Sequence, residues 1–226
     1  MEEILIMKKG KVIAEIVIAI IGVLLVEFGL ICFNKYVLMS IPLVARMILM
    51  IVMYWMIAIV PIILCLKNKY KLNDLGFTKN NFGKQIIIGI IIALIASAVF
   101  TLIPMLIFGK ENTYSGSNFK YLWQYIYQFV YLTIGVSLTE EFIFRGYLLN
   151  NLKSISKNSV IPVIVTSLAF GIFHIFNGNI IQVIMTSFLG LVFVLCREKI
   201  KNCSLLSLII AHGLYDWLIV VLTAIL

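Results

Sequence analysis

Charge is scarce in this sequence. Only 12% of its 226 residues are Asp, Glu, Lys or Arg, and 62% are hydrophobic, where soluble domains carry about a quarter charged residues and nearer half apolar ones. Long, almost uncharged runs recur along the chain at the length needed to cross a bilayer, and nothing large enough for a water-soluble domain remains. Histidine is rarer still, with His174 and His212 alone. The four cysteines, Cys32, Cys65, Cys196 and Cys203, are scattered near predicted span ends without a CxxC spacing, so they read as small apolar residues with free thiols rather than a zinc set. There is no HExxH signature, no internal repeat and no low-complexity tract. No small-residue cleavage site follows the first apolar run, so that run is expected to stay as an uncleaved span.

What is present is an all-α, polytopic transmembrane bundle of about seven predicted spans, at 12–33, 40–66, 84–108, 120–150, 160–176, 180–196 and 204–226. Residues 1–226 read as a single membrane domain. The net charge of +8 is not a nucleic-acid signal, because the basic residues sit in the short connections between spans. Thirteen fall on one side (Lys8, Lys9, Lys11, the 67–84 connection, Lys153, Lys157 and the 197–201 connection) and three on the other, Lys35, Lys110 and Lys120. The positive-inside rule then predicts a cytoplasmic N-terminus and an external C-terminus. The tyrosines and Trp123 between 121 and 131 suit the headgroup region, and Leu72, Leu75, Phe77 and Phe82 suit a surface-lying 67–83 connection.

Against this background a few residues are costly. Glu140, Glu141 and Arg145 fall within six positions of one apolar segment, and each charge in hydrocarbon costs about 2.5–3.5 kcal/mol on insertion scales. Glu141 and Arg145 are four apart and can pair on one helix face. Glu140 is rotated about 100° from Glu141, so it must face another helix, where a desolvated carboxylate suits general-base work. The bland alternative is a buried polar knot that fixes packing. His174 follows Phe170 by four residues and reads either as a satisfied hydrogen-bonder or as a catalyst. His212 precedes Asp216 by four, a spacing shared by metal ligands, His–carboxylate catalytic pairs and ordinary helix-stabilising pairs. Counting 1.5 Å per residue from the predicted cytoplasmic ends puts His174 about 20 Å, Glu141 about 15 Å and His212 about 12 Å deep, which lets the three segments meet. Glu27 and Arg46 also match in depth and suit an ion pair or separate snorkelling.

With these residues in place, the chain resembles the CAAX protease and bacteriocin-processing (Abi) family of intramembrane endopeptidases, whose motifs are EExxxR, FxxxH and HxxxN/D on successive helices. The matching residues are Glu140-Glu141-Phe142-Ile143-Phe144-Arg145, Phe170 to His174 and His212 to Asp216, within residues 119–226; the spans in 1–118 match only in hydrophobicity. The resemblance implies an enzyme that hydrolyses a peptide bond in the membrane, with substrate arriving laterally or from the cytoplasmic face. It implies that Glu140 and His174 activate water, that His212 and residue 216 stabilise the oxyanion, and that Glu141 and Arg145 hold the glutamate helix. Where eukaryotic prenyl-protein proteases carry Asn this chain has Asp216, which as a carboxylate cannot donate a hydrogen bond; it would be protonated, orient His212 or ligate a metal. Glu140, His174, His212 and Asp216 are the candidates should zinc be bound. Expected partners are a peptide or membrane-protein substrate and the lipid bilayer, with no nucleic acid. The Lys-, Ile- and Asn-rich composition points to the plasma membrane of a low-GC bacterium, where the resemblance implies bacteriocin maturation, self-immunity or envelope regulation.

Overall fold

The computed structural model describes residues 2–109, 119–176 and 180–225; Lys110 and the side chain of Lys8 lie outside that description. The described residues form helices without any strand: α1 (Glu2–Tyr36), α2 (Leu43–Met56), α3 (Ile59–Lys67), α4 (Phe82–Phe108), α5 (122–155), α6 (Val160–Phe173, extended by a 3₁₀ turn at His174–Phe176), α7 (Ile180–Lys199) and α8 (Leu205–Ile225). The protein is an all-α helical bundle. α8 lies along α4 and the first half of α5, α6 pairs with α7, and α1 packs on α3.

The bundle is turned inside out relative to a soluble protein. Leu25, Ile63, Leu94, Leu168 and Ile184 point outward in mid-helix, while Glu140, Glu141, Arg145 and His212 are buried. Only a hydrocarbon solvent makes that arrangement stable, with helices satisfying their own backbone. By length and apolarity α1, α4, α7 and α8 are long enough to span, and the α2–α3 pair adds a fifth if its two bent halves cross as one span. The remaining two of the seven expected spans depart for physical reasons. α5 is interrupted by amides, hydroxyls and its three charges, and α6 is shorter than a full crossing.

The expected span at 40–66 is bent by 47° between α2 and α3. Pro61 has no N–H to offer the carbonyl of Ile57, one turn back, so the helix breaks there; the chain tightens instead through Ile57 N–H to Tyr54 O (3.2 Å) and Ala58 N–H to Trp55 O (3.1 Å). The bend directs two residues at α5: Trp55 Nε1 donates to Ile134 O (2.7 Å) and Tyr54 to Glu140. α5 is continuous but widened, with π-helical stretches at Tyr131–Ser137 and Phe142–Leu148 on either side of the single α-turn Leu138–Glu141. Such widened turns recur at functional sites.

The 67–83 connection tucks under the bundle more closely than a surface-lying segment would. Leu75 is buried with Tyr147 and Cys65, although Leu72 and Phe82 remain exposed. Gly76 adopts φ +91°, its carbonyl accepts from Leu205 N–H (3.0 Å), and a side chain there would strike the Arg197 guanidinium. Arg197 in turn donates to the carbonyl of Arg145 and to Asn150 Oδ1, so this end of the molecule grips the widened part of α5. Arg46 donates to Met39 Sδ at 3.2 Å, and Glu27 is buried at 5% exposure.

Close helix approach depends on missing side chains. A Cβ on Gly213 would stand 2.7 Å from Thr133 Cα, a backbone atom of α5, so α8 can approach this near only with glycine at that position. Gly213→Val is expected to lower stability by about 1–3 kcal/mol, as overpacking does, and to push His212 off its partners. The checks are thermal denaturation in detergent together with loss of whatever activity the parent shows.

Candidate active site

The polar centre lies between two apolar clusters. One joins α1, the α2–α3 bend, α5 and α6 and includes Ile57, Phe144 and Phe170; the other joins α4, α7 and α8 and includes Phe193, Leu208 and Ala211. Into the space between them α5 sends Glu140, Glu141 and Arg145, α6 sends His174, and α8 sends His212 and Asp216. The structure brings all six residues singled out from the sequence together.

Glu141 is the hub. Its Oε1 accepts from Arg145 Nη1 at 2.9 Å and from His212 Nδ1 at 2.9 Å. The Arg145 guanidinium is fully enclosed; Nη2 donates to Gly190 O at 3.2 Å, and the charge lies 4.2 Å from the Phe170 ring centroid and 5.6 Å from that of Phe193, within cation–π range. A Cβ on Gly190 would press on Phe170 and Arg145. Phe170, the aromatic member of the second motif, also stands edge-on to His174 and His212, with centroids 4.9 and 5.8 Å away. It is the wall that sets both imidazoles.

Glu140 points the other way. Its Oε1 accepts a 2.5 Å hydrogen bond from Tyr54, and its Oε2 faces His174 Nε2 at 3.9 Å and His212 Nε2 at 3.8 Å. These separations exceed a hydrogen bond, and Oε2 has no hydrogen-bond partner among the described residues. His174 Nδ1 lies 2.9 Å from Phe170 O. A carbonyl can only accept, so Nδ1 carries the proton and, in the neutral ring, Nε2 presents a lone pair toward Glu140. His212 differs: both its nitrogens face carboxylates, Nδ1 that of Glu141 and Nε2 that of Asp216 at 3.3 Å, so both are placed to donate. Side chains of Glu140, Glu141, Arg145 and His212 are 0–4% exposed, but those of His174 and Asp216 are 18% and 23% exposed. The centre therefore opens along His174 and Asp216.

Zinc is a poor match to these positions. Two donors around a tetrahedral zinc stand about 3.3 Å apart, given bonds of about 2.0–2.1 Å. Glu140 Oε2 is farther than that from each imidazole, and among the described residues no group of three or more His, Cys, Asp or Glu is arranged to hold a metal ion.

Four contributors were not legible in the motifs. Tyr54 comes from a span with no resemblance to offer; its one sequence signal is a hydroxyl in mid-span seven residues before Pro61. Gly190 and Phe193 on α7, and Arg197 beyond them, carry no motif at all. The hub can be tested directly. Arg145→Met leaves the Glu141 carboxylate with His212 as its one remaining partner and is expected to cost about 3–5 kcal/mol, seen as lost folded yield, whereas Glu141→Gln combined with Arg145→Met is expected to recover much of it.

Comparison with known proteins gives the assignment. Residues 122–218 match the family model for type II CAAX prenyl endopeptidase Rce1-like proteins, a stretch that contains all three motifs. No curated protein and no solved structure matches the chain. Over residues 122–218, under half of the chain, the protein is similar to the type II CAAX prenyl endopeptidase Rce1-like family, which supports a CAAX-type intramembrane protease.

Proposed function

We propose that this protein is an intramembrane endopeptidase of a bacterial plasma membrane, with residues 119–226 as its catalytic core and membrane-associated or bacteriocin-type peptides as substrates. The observation that carries this reading is the placement of Glu140 Oε2, an unsatisfied buried acceptor 3.9 Å from the lone pair of His174 Nε2. Two acceptors at that separation are bridged by a water that donates one proton to each at about 2.8 Å. Both of its protons are then engaged, and an oxygen lone pair is left for attack.

In this mechanism the water oxygen bonds to the scissile carbonyl carbon as Glu140 takes the proton. The carbonyl π electrons move onto oxygen, and the resulting oxyanion is met by the Nε2–H of His212, whose other nitrogen is held by Glu141. Asp216 accepts from that same Nε2–H and so keeps the ring aligned, the orienting role among the three open to it from sequence. Collapse of the intermediate breaks the C–N bond, and Glu140 returns its proton to the departing amine. Tyr54 occupies the second oxygen of Glu140 and directs the basic one at the water. Since His174 and Asp216 lie away from the Arg197–Gly76 end, the reading favours lateral access from lipid over access through that lysine-rich end.

Glu140→Gln is expected to lose about 10²–10⁴-fold in peptide hydrolysis, the usual span for a general base, with normal folded yield. Comparative membrane proteomics of parent and Glu140→Gln strains should show a peptide processed in the parent alone; an unchanged peptide profile, with the cellular phenotype intact, would replace the hydrolase by a scaffold. Tyr54→Phe should lower kcat by about tenfold while KM stays within about twofold, because the phenol orients the base without touching substrate.

A further inference from the structure

The Arg197–Gly76 end gathers lysines from two connections that lie far apart in the sequence. Asn81, before α4, and Asn202, before α8, both adopt positive φ, 55° and 64°, a conformation that short amide side chains tolerate. Their side chains meet there: Asn81 Nδ2 donates to Asn202 Oδ1 at 3.0 Å, and one turn into α4 Gln85 accepts from Ser204. The two connections are thereby pinned into one rim. It carries Lys79 and Lys84 from the first and Lys199 and Lys201 from the second, all four exposed. Among the described residues none of these ammonium groups has an ion pair or hydrogen bond. The acids nearest in sequence are engaged elsewhere: Asp74 accepts from the Lys71 N–H at 2.8 Å, and Glu198 is held by Lys153 at 2.5 Å.

Phe82 lies between the first two lysines in sequence and Ile200 between the second two, and they are 57% and 41% exposed. The topological bias of basic residues accounts for cations at one end of a membrane protein, but not for a pinned rim that alternates unpaired cations with exposed apolar side chains. A soluble anion would meet the ammonium groups and leave Phe82 and Ile200 in water. A phospholipid meets both, its phosphate taking the cations and its glycerol–acyl region the apolar side chains. A headgroup of net negative charge gains most, since a zwitterionic one brings a cation of its own. We propose that this rim binds anionic phospholipid headgroups and that their binding steadies the widened part of α5. The link runs through the same two connections. Asn150 of α5 donates to Asp74 O at 2.8 Å, Gly76 O accepts from Leu205 N–H at 3.0 Å, and Arg197 holds the carbonyl of Arg145. A lipid that immobilises the rim restrains those bonds and with them Phe142–Leu148. The inference does not depend on peptide hydrolysis.

The experiment titrates the full-length protein, in a neutral detergent, with phosphatidylglycerol or phosphatidylcholine of equal chain length and counts bound lipid by native mass spectrometry. Phosphatidylglycerol should bind about tenfold tighter, given about fivefold for each lysine near an anionic headgroup. Lys79→Gln, Lys84→Gln, Lys199→Gln and Lys201→Gln together should cut that preference to less than about twofold. Phosphatidylcholine binding should stay unchanged, which also shows the variant to be folded, and the four Lys→Arg changes should keep the preference. Lys35→Gln with Lys120→Gln, at the other end, should keep it too. Inorganic phosphate at millimolar concentration should displace no phosphatidylglycerol. Phosphatidylglycerol should also slow amide hydrogen exchange across residues 142–148 by about threefold in the parent but not in the four-glutamine variant. Equal binding of the two lipids, a preference that survives the four glutamines, or displacement by phosphate overturns the site. Preferential binding with unchanged exchange overturns its link to α5.

Discussion

The Glu141 carboxylate, shared between Arg145 and His212 at 2.9 Å each, is the interaction on which the rest of the centre depends. A carboxylate in the interior of a membrane bundle is stable only when compensated, and this one is compensated from two directions. Arg145 ties it along its own helix; His212 ties it to α8. The ion pair thereby becomes a helix–helix fastener as well as a charge balance, and it fixes the ring plane of His212. Phe170 and Phe193 close around the guanidinium, so the apolar packing of α6 and α7 is indexed to the same charge. Movement of any of these helices would expose or unpair it.

Glu140 can serve a different purpose one residue away because the α-turn Leu138–Glu141 rotates it about 100° from Glu141. The π-helical stretches on both sides of Leu138–Glu141 alter the angular spacing of the side chains beyond that turn, and their loosened backbone is held by one group from α7 and one from α5 itself. Arg197 takes the carbonyl of Arg145, and Asn150 reaches back to Gly146 O. Glycines at 135 and 146 sit within the widened turns. The bend at Pro61 completes the arrangement by swinging Tyr54 to the one oxygen of Glu140 that faces away from the imidazoles.

Much of this was legible in the sequence, and the reason is energetic. Charges and imidazoles are so costly in lipid that each one stands out, and their spacing of four within α5, α6 and α8 states which helix face they share. The membrane character and the all-helical class follow from the same scarcity of charge. Legibility failed where the contributing group was ordinary. Tyr54 is one of ten tyrosines, Gly190 contributes only a carbonyl, and the π-helical widening of α5 has no composition of its own. The bend at Pro61, the polar interruptions of α5 and the short α6 explain why counting apolar runs yields seven spans while length and apolarity alone support four or five among the described residues.

A buried polar cluster can be explained by packing alone, and the proposed function sets a catalytic explanation beside it. A packing device is at its best when every polar atom is paired, because an unpaired buried acceptor costs about 1–3 kcal/mol. Glu141 and Arg145 depart from that standard through Oε2 and Nε, which lack a hydrogen-bond partner among the described residues. The Oε2 of Glu140 lacks one too, and it faces the Nε2 atoms of both imidazoles. When His174 is neutral, two acceptors face each other across 3.9 Å, which costs stability in a dry core. Kept at the partly exposed edge of the cluster, beside His174 and Asp216, the same pair is an arrangement for holding and polarising a small donor such as water. In the proposed hydrolysis that cost would fall on stability while the gain would come only with a substrate bound.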